Sequence, residues 1–293
     1  MTRRRRRAAR GLVLVLAFVA VLGAGGSAVA AWLTAGDREP LIARCAASLE
    51  GTDWYLEPDQ AETAALLAGT SQQRGLPARA TTIALATGLQ ESKLRNLDHG
   101  DRDSVGIFQQ RPSQGWGTVE QIMDPVFATN AFFDALVLVA GYEELAVTEA
   151  AQAVQRSAYP EAYAQHEARA RAWASAMYGY DAAAVTCTLR APEAPGDPAA
   201  VQARAARDLG AVPTSVTDDG AVLVDASQMS GDGSDLERLG WAVAHWAVSV
   251  ASPLQVTEVS HAGWTWLRED GTWQPAAEEG AAPAGQVRIS LAE

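Results

Sequence analysis

Gly88-Leu89-Gln90-Glu91-Ser92-Lys93-Leu94 closes an apolar run in which Ile83, Leu85, Ala86 and Leu89 recur at helical spacing. A polar, glycine-rich stretch follows from position 96 to 117, and within it stands Gly106-Ile107-Phe108-Gln109-Gln110. The first segment reads as a helix over 78–92 that ends on a glutamate. The second reads as part of a small hairpin or irregular lobe opposite that helix end. Apolar surroundings disfavour the charged form of a carboxyl group, so a glutamate placed there is suited to donate a proton near neutral pH. Amide side chains across a cleft from it are suited to hydrogen-bond a sugar.

The same periodicity predicts further helices over 60–74, 119–123 with a continuation at 126–140, 147–155 and 160–178. Asp59 with Glu62 three residues on has the layout of a capping box for the first of these, and Gly75 followed by Pro77 marks its end. Three prolines within 190–198 make that stretch a linker by composition. Beyond it, 199–293 mixes helix candidates at 201–209 and 236–250 with strand candidates at 221–225, 256–259, 264–266 and 286–291. The expected fold class is α+β: a mainly helical domain over 45–189 and a smaller α+β domain over 199–293. The sequence has no internal repeat.

The N-terminus differs in kind. Arg3 to Arg7 and Arg10 put six positive charges and no acid into residues 1–10. Taking those six from the 23 basic residues leaves 17 against 35 acidic ones, a net charge of −18 where the whole chain carries −12. So acidic a body would repel phosphates, which excludes nucleic acid as a partner. Residues 11–36 carry no charge, and about 20 apolar residues suffice to span a bilayer. The arginines in front predict a cytoplasmic tip, a single-pass signal-anchor helix and an extracytoplasmic body. Ala28-Val29-Ala30 has the small-x-small form of a cleavage site, so secretion after cleavage is the alternative. Cys45 and Cys187 bracket the first domain, and in an oxidising compartment such a pair is expected to form a disulfide. They do not supply a clustered metal-ligand set, and no cofactor is expected.

Gln90-Glu91-Ser92 with Gly106-Ile107-Phe108-Gln109 resembles the glutamate-serine and glycine-leucine-methionine-glutamine signatures of lysozyme-like lytic transglycosylases. The resemblance covers roughly 60–180. It implies a membrane-anchored enzyme acting on peptidoglycan glycan strands, with Glu91 as the catalytic acid and base. Ser92, Ser104, Gln109 and Gln110 would then position substrate. Glycosidic cleavage needs a proton for the leaving oxygen and stabilisation of an oxocarbenium-like centre. In this family the 6-hydroxyl of muramic acid closes on the anomeric carbon, so one carboxylate suffices. Asp98, Asp101 and Asp103 offer a second carboxylate, which would permit hydrolysis instead. Ala158-Tyr159 matches two residues of the family's alanine-tyrosine-asparagine motif, with Pro160 in place of asparagine. Tyr159 would hydrogen-bond the glutamate, and Tyr163 is the spare candidate. Trp116, between small residues, either stacks on a sugar or packs beneath the loop. The alternative function is a catalytically inactive glycan-binding or cell-wall assembly protein on the same fold.

The order of Asp225, the helix after it, Glu258, the Trp-rich strands and Arg288 resembles the zinc-carboxypeptidase-like modules of actinobacterial cell-wall proteins. The resemblance assigns the zinc aspartate to Asp225. Arg288 stands where a histidine is expected, and His245 and His261 fall elsewhere, so the module reads as a degenerate relative without zinc.

Overall fold

In the computed structural model, residues 41–156, 160–229, 235–276, 282 and 285–293 are described. The expected span over 11–36, its basic tip and Tyr159 lie outside these residues. Among the described residues no helix is long and apolar enough to cross a membrane.

The chain is mixed α and β. Strands β1 (Arg44–Leu49) and β2 (Thr52–Leu56) form an antiparallel hairpin, and β3 (Val185–Thr188) pairs with the other edge of β1. β1 is not marked by alternation, because its inner part is buried on consecutive residues, Cys45, Ala46 and Ala47, and β3, which does alternate, is only four residues long. Between β2 and β3 run the helices α1 (Pro58–Gln73), α2 (Ala78–Ser92), α3 (Val119–Met123), α4 (Pro125–Leu136), α5 (Val147–Gln155) and α6 (Glu167–Met177), with a 3-10 segment at Pro160–His166. The expected helix over 160–178 is thus divided in two. The start of α1 also differs from expectation. Pro58 occupies the first turn, where a missing N–H costs nothing, and the Glu57 N–H donates to Gln60 Oε1 at 2.8 Å, so the cap lies two residues before Asp59.

Cys45 and Cys187 face each other across β1 and β3 and form a disulfide that spans 142 residues of chain. A loop of that length is worth at most about 5 kcal/mol in the chain-entropy account. The double variant Cys45→Ser/Cys187→Ser is therefore expected to lower the urea midpoint by the equivalent of about 2–5 kcal/mol. An unchanged midpoint would show that the surrounding sheet holds this closure without the bond.

After the proline-rich stretch come α7 (Pro198–Leu209), β4 (Thr214–Val216), β5 (Val222–Asp225), α8 (Leu236–Ser249), β6 (Val256–His261), β7 (Trp264–Leu267), β8 (Thr272–Pro275) and β9 (Gln286–Leu291). The six strands make one antiparallel sheet in the order β4-β5-β9-β6-β7-β8. The segments expected as separate domains are distinguished by their sheets, yet residues 43–293 form a single compact unit with one hydrophobic core. Helix α8 is the reason. It is buried without interruption from Leu239 to Ser249, with β6 and β9 on one side and α1, α6 and β3 on the other.

His245, at the centre of α8, fastens that junction. Its Nδ1–H donates to the Ala176 carbonyl at 2.7 Å, and its Nε2 accepts the Ala184 N–H at 3.0 Å. Only the neutral ring satisfies both bonds, since a proton on Nε2 would oppose the Ala184 N–H. Burial pushes the imidazole down to about 4, against the bond to Ala176. A histidine depressed in the folded state contributes stability above its unfolded value of about 6.5, and that contribution is lost as the pH falls towards 4. The expected loss is about 3 kcal/mol, read as the difference in pH dependence of the urea midpoint between wild type and His245→Gln. Parallel curves for the two proteins between pH 7 and 4 would contradict it.

Candidate functional site

Helix α2 runs through the core. Ala80 to Leu89 are all buried, and exposure begins at Gln90 and Glu91, both half-buried. The helix then stops abruptly, with Lys93 and Leu94 both in the left-handed region. Its end is braced by α1, where Gln60 Nε2 donates to the Lys93 carbonyl at 2.9 Å. Arg95, the cation four residues beyond Glu91, pairs instead with Glu57 at 2.7 Å and Asp59 at 2.8 Å. Among the described residues Glu91 enters no ion pair. Its partner is the phenol of Tyr163, fully buried, whose O–H donates to Glu91 Oε1 at 2.7 Å. Tyr163 comes from the 3-10 segment before α6, so that segment brings the spare tyrosine to the helix end.

The loop carrying Gly106 to Gln110 is fixed against this end from several sides. Ser92 Oγ donates to the Ile107 carbonyl at 2.7 Å, and Gln155 Nε2, from the end of α5, donates to the Phe108 carbonyl at 2.8 Å. Gln110 Nε2 donates to the Ala128 carbonyl at 3.2 Å, and Phe108 stacks on Phe132 with ring centroids 4.3 Å apart. Two glycines allow the approach. A Cβ at Gly88 would lie 2.7 Å from Leu94 Cδ2, and Gly106, at φ +81°, sits with its would-be Cβ 2.9 Å from the Ile122 carbonyl oxygen. Isolated bridges Leu97–Gly106 and Val105–Gln110 give the loop its hairpin character.

The residues expected to position substrate therefore divide. Ser92, Ser104 and Gln110 are at most 7% exposed, and the Ser92 hydroxyl and Gln110 amide are directed at the protein's own carbonyls. They build the loop and offer a ligand little surface. Gln109 is half-buried, with a left-handed backbone, and its Nε2 reaches the carbonyls of Gly106 and His99. Of the three loop aspartates, Asp103 is fully engaged. The Ser113 N–H, then Arg111 Nε and the Ser113 hydroxyl hold its carboxyl well below the usual carboxylate range. Asp98 and Asp101 are exposed, each beside its sequence neighbour, His99 or Arg102. Trp116 is half-buried. Its inner side packs on the core, and it also lines an open groove of about 520 Å³ together with Leu138, Val154 and Gln155.

Gln90 carries a contact without local sequence signal. Its Oε1 accepts from Gln165 Nε2 at 3.2 Å and from His166 Nε2 at 3.1 Å. Burial, then Arg169, holds the His166 imidazole below its ordinary value, which favours the neutral ring.

In the C-terminal sheet, Asp225 accepts the Ser227 N–H at 2.9 Å, and Arg288 pairs with Asp219. Among the described residues no three His, Cys, Asp or Glu side chains converge on a point that would hold a metal ion. Comparison with known protein families and with curated proteins finds no match.

Proposed function

We propose that this protein is a peptidoglycan-cleaving enzyme, anchored at the outer face of the cytoplasmic membrane through residues 11–36, that breaks glycosidic bonds with Glu91 as its single general acid and base. The observation that carries the reading is the bond from the Tyr163 hydroxyl to Glu91 Oε1 at the mouth of an otherwise buried helix. One carboxyl oxygen is held by the phenol, so the other is presented in a fixed orientation. A protonated Glu91 would give its proton to the leaving glycosidic oxygen as the anomeric bond breaks. The resulting carboxylate would then take the proton of the muramic acid 6-hydroxyl as that oxygen closes on the anomeric carbon, which returns the acid and leaves an anhydro sugar. Gln109 retains surface to meet the sugar. The engagement of Asp103 with Arg111 and Ser113 favours this one-carboxylate route over hydrolysis through a second carboxylate. The C-terminal sheet would serve as an accessory part without zinc.

Digestion of purified peptidoglycan, followed by mass spectrometry of the soluble products, tests the proposal. Anhydromuramyl ends are expected. Reducing ends would make the enzyme a hydrolase and direct attention to Asp98 and Asp101. No release from walls of several bacterial types would favour a glycan-binding protein.

A further inference from the structure

The catalytic reading requires Glu91 and Tyr163 to keep a fixed relation, yet they sit on different elements. Glu91 is the penultimate residue of α2, and Tyr163 lies in the 3-10 segment Pro160–His166. A 3-10 segment has poorer hydrogen-bond geometry than an α-helix, and this one is held by its neighbours, α2 and α5 among them. On the α2 side a single residue can fix it.

Gln90 does so through one atom. An amide oxygen has two lone pairs and cannot donate. Both are taken at Gln90 Oε1, one by Gln165 Nε2 at 3.2 Å and one by His166 Nε2 at 3.1 Å. Because the oxygen only accepts, His166 must carry its proton on Nε2, which leaves Nδ1 without one in the neutral ring. Gln165 Nε2 also donates to the Ala162 carbonyl at 3.0 Å, so the same amide ties the segment to itself and to α2. The two donors leave the segment at its end, and Tyr163 stands a single turn earlier. The residue that anchors the segment therefore directly precedes the residue that Tyr163 contacts.

We infer that Gln90 is a positioning residue. Its doubly accepting Oε1 clamps the tyrosine-bearing segment onto the helix end and thereby sets the Tyr163 hydroxyl on Glu91, with His166 and Gln165 as the two jaws. The inference rests on the proposed function for its catalytic consequence, though the clamp itself does not depend on it.

The test compares Gln90→Met, which keeps length and volume but removes the amide acceptor, with the pair His166→Ala and His166→Gln. Two readouts are taken on the full-length protein. Cleavage of soluble peptidoglycan fragments is expected to show kcat about 10-fold lower in Gln90→Met with KM changed less than about 2-fold, since a misplaced catalytic pair loses rate before affinity. His166→Gln, which restores an N–H donor of similar reach, is expected to recover most of the rate that His166→Ala loses. Independently of any activity, the pH titration of the Glu91 carboxyl carbon, followed by NMR, is expected to move in Gln90→Met and His166→Ala and to return in His166→Gln. Tyr163 touches the carboxyl itself, and His166, with Arg169 beside it, is the titratable group of the clamp. If the wild type cleaves nothing, the functional proposal fails while the titration still decides the clamp. A Glu91 titration and a kcat both unchanged in folded Gln90→Met would overturn it. Should that variant not fold, the two His166 variants decide by the same readings.

Discussion

Glu91→Gln is expected to remove at least about 10³-fold of the cleavage of purified cell walls while leaving the fold intact. General acid–base catalysis is worth on the order of 10² to 10⁴ in rate, and here a single group would perform both halves of it. An amide cannot give up a proton to the leaving oxygen. Stability should not change, because the amide oxygen still accepts the Tyr163 hydroxyl bond that the carboxyl oxygen accepts at 2.7 Å, and no ion pair of Glu91 is lost among the described residues. Tyr163→Phe makes the complementary cut. It retains the acid and removes the hydroxyl, so a partial loss of about 10-fold is expected. The decisive measurement is release of soluble fragments by the two variants beside their melting curves. Full activity in Glu91→Gln would sink the catalytic assignment whatever the wild type cleaves.

Asp208→Ala is expected to cost about 3–5 kcal/mol, the largest stability effect of any single change considered, since it leaves the part-buried Arg204 guanidinium and the buried Trp246 N–H without their acceptor. Asp208 is fully buried at the end of α7. Its carboxylate receives Arg204 Nε at 2.6 Å, Arg207 Nε at 2.7 Å and Trp246 Nε1 at 3.0 Å, and Arg204 also reaches Glu62 on α1. Burial raises the Glu62 carboxyl, an effect that Arg204 opposes. One carboxylate thus joins α7 to α8 directly and to α1 through Arg204. Urea unfolding at pH 7 reads the effect. The double variant Asp208→Leu/Arg204→Met should recover part of the loss, as buried ion pairs replaced whole by apolar groups often do. A midpoint within about 0.5 kcal/mol of wild type for Asp208→Ala would show that water reaches this cluster and replaces the carboxylate.

Much of the helical framework was legible in the sequence. The bounds of α2, α3 and α5 follow from apolar spacing and from the breakers beside them, and the cysteine pair was expected as a disulfide. The first sheet was not legible. β1 has no alternation to announce it, and β2 and β3 are short strands defined mainly by pairing with it. Nor did the chain announce that its two segments share a core, since α8 has Glu237 and Arg238 in its first turn and reads as amphipathic although all of it from Leu239 onward is enclosed. Glu91 stood out because its neighbours in sequence carry a pattern. The sequence marks Tyr163 only as a spare candidate and carries no signal for the jaws of Gln90, because contacts 72 to 76 residues apart leave no local trace.

The proline-rich stretch at 190–198 would ordinarily let two bodies diffuse independently. Here the Arg190 carbonyl accepts Arg268 Nε, the Glu193 N–H donates to Gln255 Oε1, and the Gly196 N–H donates to the Ala292 carbonyl. Gly196 lies so close to Leu291 that a Cβ there would come within 2.6 Å of it. The stretch is a stitched seam, and hydrodynamically residues 43–293 should tumble as one particle with a single rotational correlation time. A protease sent to separate the halves would find its substrate sewn down, and the orientation of the six-stranded sheet relative to Glu91 is a built-in constant of the molecule.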